Sequence, residues 1–154
     1  MIATNIEQSK KLVELGIDAN TADMFWGYIE PYCFTDRQFD GGYEEYPLPK
    51  EFPITDDEYS SVLFAWSLEA LLKLIPKYIK QEDGRTYKFY IFNDDGIVIQ
   101  RWGCSYVAKD YNNRAEYLSD PTLKYPTNVY SDKYDSPLDA AFEMIVWLKE
   151  NKYI

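Results

Sequence analysis

The 154-residue chain contains no histidine. This absence excludes Ser-His-Asp and Cys-His nucleophilic catalysis, histidine-ligated zinc or iron, and imidazole acid–base chemistry within the chain. Any enzymatic site would have to use carboxylates, lysine, tyrosine or cysteine, and no recognisable catalytic motif or Gly-rich phosphate loop brings these together. The sequence therefore favours a protein that is not an enzyme and that uses no cofactor.

Cysteine is scarce, with Cys33 and Cys104 as the only two residues of this type. Two thiolates are too few for a thiolate-only zinc site. As a nucleophile Cys104 would lack a histidine to activate it, so we interpret it as a core thiol. The N-terminal residues show no basic segment followed by an apolar stretch, which predicts a cytoplasmic location and two reduced thiols. Pairing in an oxidising compartment is the alternative.

Long apolar runs and an excess of positive charge are also missing. No run is long enough to cross a bilayer, so we predict no membrane partner. The net charge is −10, from 26 acidic and 16 basic residues. Such a field repels phosphate backbones, which argues against a nucleic-acid partner. It favours a basic protein partner, or it serves only to keep the protein soluble.

The length and composition predict one domain spanning residues 1–154. A chain of this size buries roughly 68–70% of its unfolded surface, so it needs neither a disulfide nor a metal to fold. The predicted class is α+β, with an antiparallel hairpin-based sheet at about residues 86–107. Helices near 5–15, 67–75 and 137–151 pack that sheet, and residues 31–60 and 108–135 form long irregular loops. Nothing in the sequence specifies an oligomeric state.

Capping residues mark where the three main helices begin. Thr4 and Glu7 have the spacing of a capping box for the first helix. Ser67 is the predicted cap of the second, and Pro76 ends it. Ser136 precedes a proline at the first position of the third helix, whose apolar residues surround most of its girth. The third helix is therefore predicted to be a wall of the core.

A further short helix is predicted in NTADMFWGY, capped by Asn20 or Thr21. A helix-turn-helix that reads DNA would need basic or amide side chains in its second helix. This stretch is mostly apolar and carries no basic residue. We therefore assign Met24, Phe25 and Trp26 to the core.

The segment TYKFYIFNDDGIVIQRW predicts a β-hairpin. Asp95-Gly96 is a favoured pair for a two-residue turn, and a four-residue loop would leave the two faces unchanged. One face then carries Lys88, Tyr90 and Phe92, and the other carries Tyr87, Phe89 and Ile91. Both faces are largely apolar, which predicts at least partial cover on both. CSYVAK is a candidate third strand, and a short hairpin around YCFTDRQF would shorten the loop at 31–60.

Two segments of the chain form a familiar pair, AWSLEALLKLIP and LDAAFEMIVWLKENKYI, and the opening EQSKKLVELGIDANTADM fits the same pattern. Together they resemble a group of small uncharacterised proteins of phage or mobile-element type from gut bacteria. In that group a proline often precedes the AWSL unit, where this chain has Phe64. The resemblance covers about a third of the chain and rests on helix-core residues. It implies an α+β domain and brings no catalytic residue with it.

Several residue clusters have a chemical and a structural interpretation. Asp94 and Asp95 could ligate a cation but are also ordinary turn residues. The acidic run at 56–58 could hold Mg²⁺ or supply an acid–base pair, and is more simply a solvated loop. The four tryptophans could frame a ligand pocket, although each lies on an apolar element typical of a core. A small carboxylate-centred enzyme or ligand-binding domain is thus one alternative, and a structural subunit is another.

The most unusual surface is predicted between residues 40 and 59. Seven acidic residues stand there against Lys50 alone, and tyrosines are interleaved with them. Tyrosine supplies large contact area at low entropic cost and is enriched at interfaces. We therefore predict a non-enzymatic accessory protein that binds a basic protein partner. The predicted partner-binding residues are Tyr43, Glu44, Glu45, Tyr46, Asp56, Asp57, Glu58 and Tyr59.

Overall fold

The computed structural model describes residues 3–29, 32–34, 37–39, 41–44, 46–51, 61–80, 82, 84–95, 100–108 and 134–154. Within these ranges, helices and antiparallel sheets confirm the predicted α+β class. Backbone contacts divide the chain into two compact units, Met1–Leu71 and Leu72–Ile154, which we describe one at a time. The assignment of residues 1–154 to one domain stays a prediction.

The first unit is built around one central strand. The strand β1 (Met24–Ile29) pairs antiparallel with β6 (Ser61–Ala65) along one edge, while β4 (Gly42–Tyr43) and β5 (Leu48–Pro49) pair with opposite ends of its other edge. The strands β2 (Tyr32–Phe34) and β3 (Arg37–Phe39) form a separate hairpin, as predicted around YCFTDRQF. The elements are α1 (Ile6–Glu14), a 3-10 helix (Ala19–Thr21), β1 (Met24–Ile29), β2 (Tyr32–Phe34), β3 (Arg37–Phe39), β4 (Gly42–Tyr43), β5 (Leu48–Pro49), β6 (Ser61–Ala65) and the start of α2 (Leu68–Leu74).

The second unit is a three-stranded sheet packed by one helix. The strands are β7 (Tyr78–Lys80), β8 (Thr86–Asp95) and β9 (Gln100–Ala108), with β8 in the centre. The long closing helix α3 (Pro137–Glu150) contacts β9 and buries its apolar side chains. Its predicted role as a wall of the core is confirmed.

The predicted caps of α2 and α3 are correct, whereas α1 is capped one residue later than predicted. Ser136 Oγ accepts from the Asp139 amide at 3.1 Å, and Ser67 Oγ accepts from the Ala70 amide at 3.2 Å. In α1 the capping box consists of Asn5 and Gln8, each side chain accepting from the other's backbone amide at 2.8 and 3.0 Å. The predicted Thr4–Glu7 box is wrong because the Thr4 hydroxyl is already engaged in the core.

A buried hydrogen-bond network is centred on Thr4, which is fully inaccessible to solvent. Its amide donates to the Trp66 carbonyl at 2.9 Å, and its Oγ1 accepts from the Trp66 amide at 3.0 Å. The Trp26 indole Nε1 donates to the Thr4 carbonyl at 3.0 Å. Oγ1 of Thr4 also shares a 2.8 Å hydrogen bond with Ser9 Oγ. One residue thus joins the start of α1, strand β1 and the end of β6.

The short helix predicted in NTADMFWGY is wrong over most of its length. Only a 3-10 turn forms, and Asp18 caps it by accepting from the Asn20 amide at 2.9 Å. Residues 24–29 form β1, where aromatic side chains suit a pleated surface and both edges have partners. Phe25 and Trp26 are buried as predicted, and Met24 is half-buried. Pairing with distant strands therefore overrides the local helical pattern.

The hairpin of the second unit is confirmed with a different turn. β8 and β9 pair from Tyr87 opposite Ala108 to Asp95 opposite Gln100. Asp95 lies in the ladder, so the two-residue Asp95-Gly96 turn is wrong, but the predicted faces hold because the shift is even. CSYVA continues β9, and the third strand is β7, whose Tyr78 pairs with Lys88.

The two faces of this sheet differ in burial. One face contributes buried side chains to the core of the unit: Ile79, Tyr87, Cys104 and Tyr106. On the opposite face Tyr78, Tyr90 and Phe92 are exposed. The second face is thus covered only in part, because Ser105 of β9 on the same side is buried, and this agrees with the predicted partial cover.

Replacing Thr4 by valine should lower the free energy of unfolding by about 1–3 kcal/mol, since the Trp66 amide and the Ser9 hydroxyl would lose a buried partner. Urea unfolding followed by tryptophan fluorescence measures the change. Thr4→Ser keeps the hydroxyl and is the matched control, expected to lose less. Wild-type stability in Thr4→Val would contradict the importance of this network.

Candidate functional site

The structure describes three of the eight residues predicted to bind a partner. They are Tyr43, Glu44 and Tyr46, all in the first unit at or beside the short strand β4. The other five, Glu45, Asp56, Asp57, Glu58 and Tyr59, lie outside the described residues. Of the predicted surface, the structure therefore describes only the part next to β4.

Tyr43 is an anchor of the loop on the core. Its ring packs edge-on against Tyr28, with centroids 5.2 Å apart, and it contacts the buried cluster that contains Trp26. The Lys10 ammonium lies 5.7 Å from the ring centroid. The Tyr43 ring therefore makes its contacts within the protein. It supports the neighbouring segment instead of serving as a contact for a partner.

Glu44 begins the segment that leads away from β4. Its amide donates to the Gly27 carbonyl at 2.9 Å, which extends the pairing with β1 by one residue. The residue is half-buried and makes a further interaction within the protein. The backbone at Glu44 is therefore fixed by its pairing with β1.

Tyr46 is the most exposed of the large hydrophobic side chains that the structure describes, at 65%. It lies in the connection between β4 and β5, and both of these strands are paired to β1. On one side Tyr43 pairs with Tyr28, and on the other Leu48 pairs with Phe25. The tyrosine is thus presented on a short connection whose two ends are fixed to one strand.

The net charge of the protein belongs to the first unit. Residues 1–71 contain 14 acidic and 4 basic residues, a net charge of −10. Residues 72–154 contain 12 of each and are neutral. The concentration of negative charge between residues 40 and 59 was evident in the sequence, and a count over each unit shows in addition that the second unit is neutral.

Cys104 is a core thiol, as predicted. It is free and buried, and burial raises its pKa to about 12. Burial, together with nearby Cys104, also raises the pKa of Tyr106, whose hydroxyl donates to the Pro76 carbonyl at 2.5 Å. Both groups stay protonated at neutral pH, so neither is a nucleophile there.

The carboxylates that the structure describes do not form a catalytic or metal-binding cluster. Burial raises the pKa of Glu143, and the charges of Glu150 and Asp139 raise it further. These three residues follow one another along one face of α3, and Asp139 also accepts from the Ser136 hydroxyl at 2.5 Å. Among the described residues, no three of Cys, Asp or Glu are arranged to hold a metal ion. The side chains of Asp94 and Asp95 lie outside the described part.

The tryptophans of the first unit are core residues with internal partners. Trp66 is fully buried and Trp26 nearly so. The Trp66 indole donates to Thr21 Oγ1 at 2.9 Å, and the Trp26 indole donates to Thr4. Their packing favours the core interpretation over a ligand pocket. In the second unit, Trp147 stacks on Tyr153 with centroids 5.2 Å apart.

Sequence reasoning missed an exposed aromatic surface on the second unit. We name it the aromatic face, and it consists of Tyr78, Lys88, Tyr90 and Phe92. Tyr90 and Phe92 are 44% and 37% exposed, and Tyr78 on the neighbouring strand is 43% exposed. The alternation of Lys88 with apolar residues was visible in the sequence, and it is typical of a strand with one solvated face.

Comparison with known proteins adds no functional information. No protein-family model, curated protein or solved structure matches the chain. Of the helices that the structure describes, none is both long enough and apolar enough to cross a membrane. The function must therefore be inferred from the surfaces themselves.

Cys104 should react with Ellman's reagent far more slowly than an exposed thiol at pH 8, because both burial and its raised pKa suppress the thiolate. A Cys33→Ser variant isolates its signal, and full reaction should follow in denaturant. Reaction of the folded variant at the rate of a small-molecule thiol would show that Cys104 is accessible.

Proposed function

We propose that this protein is a non-enzymatic accessory protein that binds a basic protein partner through the acidic surface of its first unit, with Tyr46 as the central contact. The observation that carries the proposal is the exposure of Tyr46, 65% accessible, on a connection fixed at both ends. The resemblance to phage and mobile-element proteins supports an accessory role. A cytoplasmic setting is part of the proposal.

Pre-organisation makes Tyr46 suited to binding. A tyrosine side chain offers a large amphipathic contact area, and tyrosine is enriched among the residues that dominate binding energies. Ordering a flexible loop on binding costs free energy, whereas a connection held by paired strands has already been ordered by folding. Tyr46 can thus contribute most of its contact energy to affinity.

Charge supports a basic partner. The first unit has a net charge of −10, so its field attracts cationic surfaces and accelerates their encounter. The same field opposes a phosphate backbone at this surface. A partner that itself binds nucleic acid would present such a basic surface, and this protein would act as its inhibitor by occupying it.

The test is capture of partners from bacterial lysate by the immobilised protein, quantified by mass spectrometry. Wild-type protein should retain a basic protein at low salt and release it as salt is raised. Tyr46→Ala should reduce retention of that protein at least tenfold, as expected for truncation of a central contact worth about 2 kcal/mol. Tyr46→Phe should retain most of the binding.

The charge contribution is tested by two matched pairs of substitutions. Glu44→Gln with Glu45→Gln removes two charges beside Tyr46, and Glu7→Gln with Glu14→Gln removes two exposed charges from α1. The first pair should weaken capture more than the second. Asp56→Asn with Asp57→Asn extends the test along the predicted segment. Capture that is unchanged by Tyr46→Ala and by all the charge changes would refute the proposal.

A further inference from the structure

The aromatic face lies on the side of the sheet where β7 and β8 expose their rings, while Ser105 of β9 on the same side is buried. β8 is its central strand, and Lys88, Tyr90 and Phe92 alternate along one side of it. Tyr78 of β7 pairs with Lys88, which places it on the same side. The opposite side of the sheet is core. The exposed rings are therefore held by a paired backbone.

The ring of Phe92 lies directly on the backbone of β9. Phe92 pairs with Gly103, and a Cβ atom added at Gly103 would come within 2.6 Å of the Phe92 Cζ atom. Glycine at this position therefore leaves room for the ring to rest on the sheet. The ring is supported from below while 37% of the side chain stays exposed.

Cations accompany the exposed rings. The Lys88 ammonium lies 4.9 Å from the Tyr90 ring centroid, and the Lys77 ammonium lies 5.8 Å from that of Tyr78. Lys80 is exposed on the same side of β7 as Tyr78. Where the structure describes charged side chains on this side of the strands, they are Lys80, Lys88 and Arg101, all cations. Asp94 pairs with Arg101 in the same ladder, so the cations that stand beside the exposed rings are the lysines Lys77, Lys80 and Lys88.

The size of the aromatic face decides between kinds of partner. Aromatic side chains carry about 150–250 Å² each, so the exposed parts of three rings offer roughly 250 Å². A stable protein interface needs about 800 Å² on each side. Sheets that bind single-stranded nucleic acid stack only two or three bases on their exposed rings. Three exposed rings accompanied by lysines are too small for a stable protein interface, but they are enough to stack two or three bases.

We propose that the aromatic face binds single-stranded nucleic acid. Bases stack on Tyr78, Tyr90 and Phe92, and Lys77, Lys80 and Lys88 contact the phosphates. The net charge of −10, which argues against a nucleic-acid partner, belongs to residues 1–71, whereas residues 72–154 are neutral. This inference uses none of the residues in the proposed protein-binding surface, so the two proposals are tested independently.

The direct test is fluorescence anisotropy of two fluorescein-labelled 12-mers, oligothymidylate and oligouridylate, titrated with the full chain at low salt. Both should bind if stacking and phosphate contacts dominate, and a preference for one identifies DNA or RNA as the ligand. With three phosphate contacts, log K should fall with log salt at a slope of about −2.

Substitutions within the face assign the contacts. Tyr90→Ala and Phe92→Ala should each weaken binding about tenfold, the loss expected for one stacked base. Tyr90→Phe keeps the ring and should bind like wild type. Lys88→Gln should reduce the steepness of the salt dependence by about 0.7, whereas Lys11→Gln, exposed on α1, should leave it unchanged. Circular dichroism checks that each variant is folded.

Two outcomes would overturn the inference. One is anisotropy that stays flat with both oligonucleotides at low salt, including the case in which this face instead captures an acidic protein. The other is oligonucleotide binding that survives Tyr90→Ala combined with Phe92→Ala in a folded protein. Neither outcome affects the test of Tyr46, which uses a different ligand and different residues.

Discussion

The buried hydrogen-bond network of Thr4 is the interaction on which the first unit depends. Thr4 uses its amide, carbonyl and hydroxyl at once, and it joins the start of α1 to β1 and to the end of β6. All three groups are away from water, so each lost bond would leave a costly unsatisfied partner. Apolar packing alone would tolerate small shifts between these elements. The directed hydrogen bonds instead fix their relative position.

The position of β1 in turn determines what the first unit presents to solvent. β4 and β5 pair with opposite ends of β1, so the exposed Tyr46 lies between two strands that are both paired to β1. Tyr43 turns inward and fixes the base of that connection. In the second unit a supported sheet presents three rings and their lysines. The excess of acidic residues and the exposed rings with their lysines thus belong to separate halves of the chain.

Local patterns predicted some of this structure and long-range pairing determined the rest. The cap and encircling apolar residues of α3 and the alternation along β8 are local, and both were predicted correctly. β1 was not, because its partners lie up to about forty residues away and its own sequence resembles a helix as much as a strand. Thr4 looked like a helix cap, since nothing near it in sequence shows that Trp66 lies against it. The acidic segment was evident from composition. That Tyr43 packs inward while Tyr46 is exposed depends on the pairing of β4 with β1, which composition does not show.

We expect the Thr4 network to open only when the first unit unfolds. Native-state hydrogen exchange of the Trp66 amide and the Trp26 indole N–H tests it most directly, since both donate to Thr4. Both groups should exchange with the free energy of unfolding of the first unit, the same value as for the most protected amides of β1 and β6. Exchange of either group at a rate near that of an exposed amide, while the rest of β1 and β6 stays protected, would contradict it.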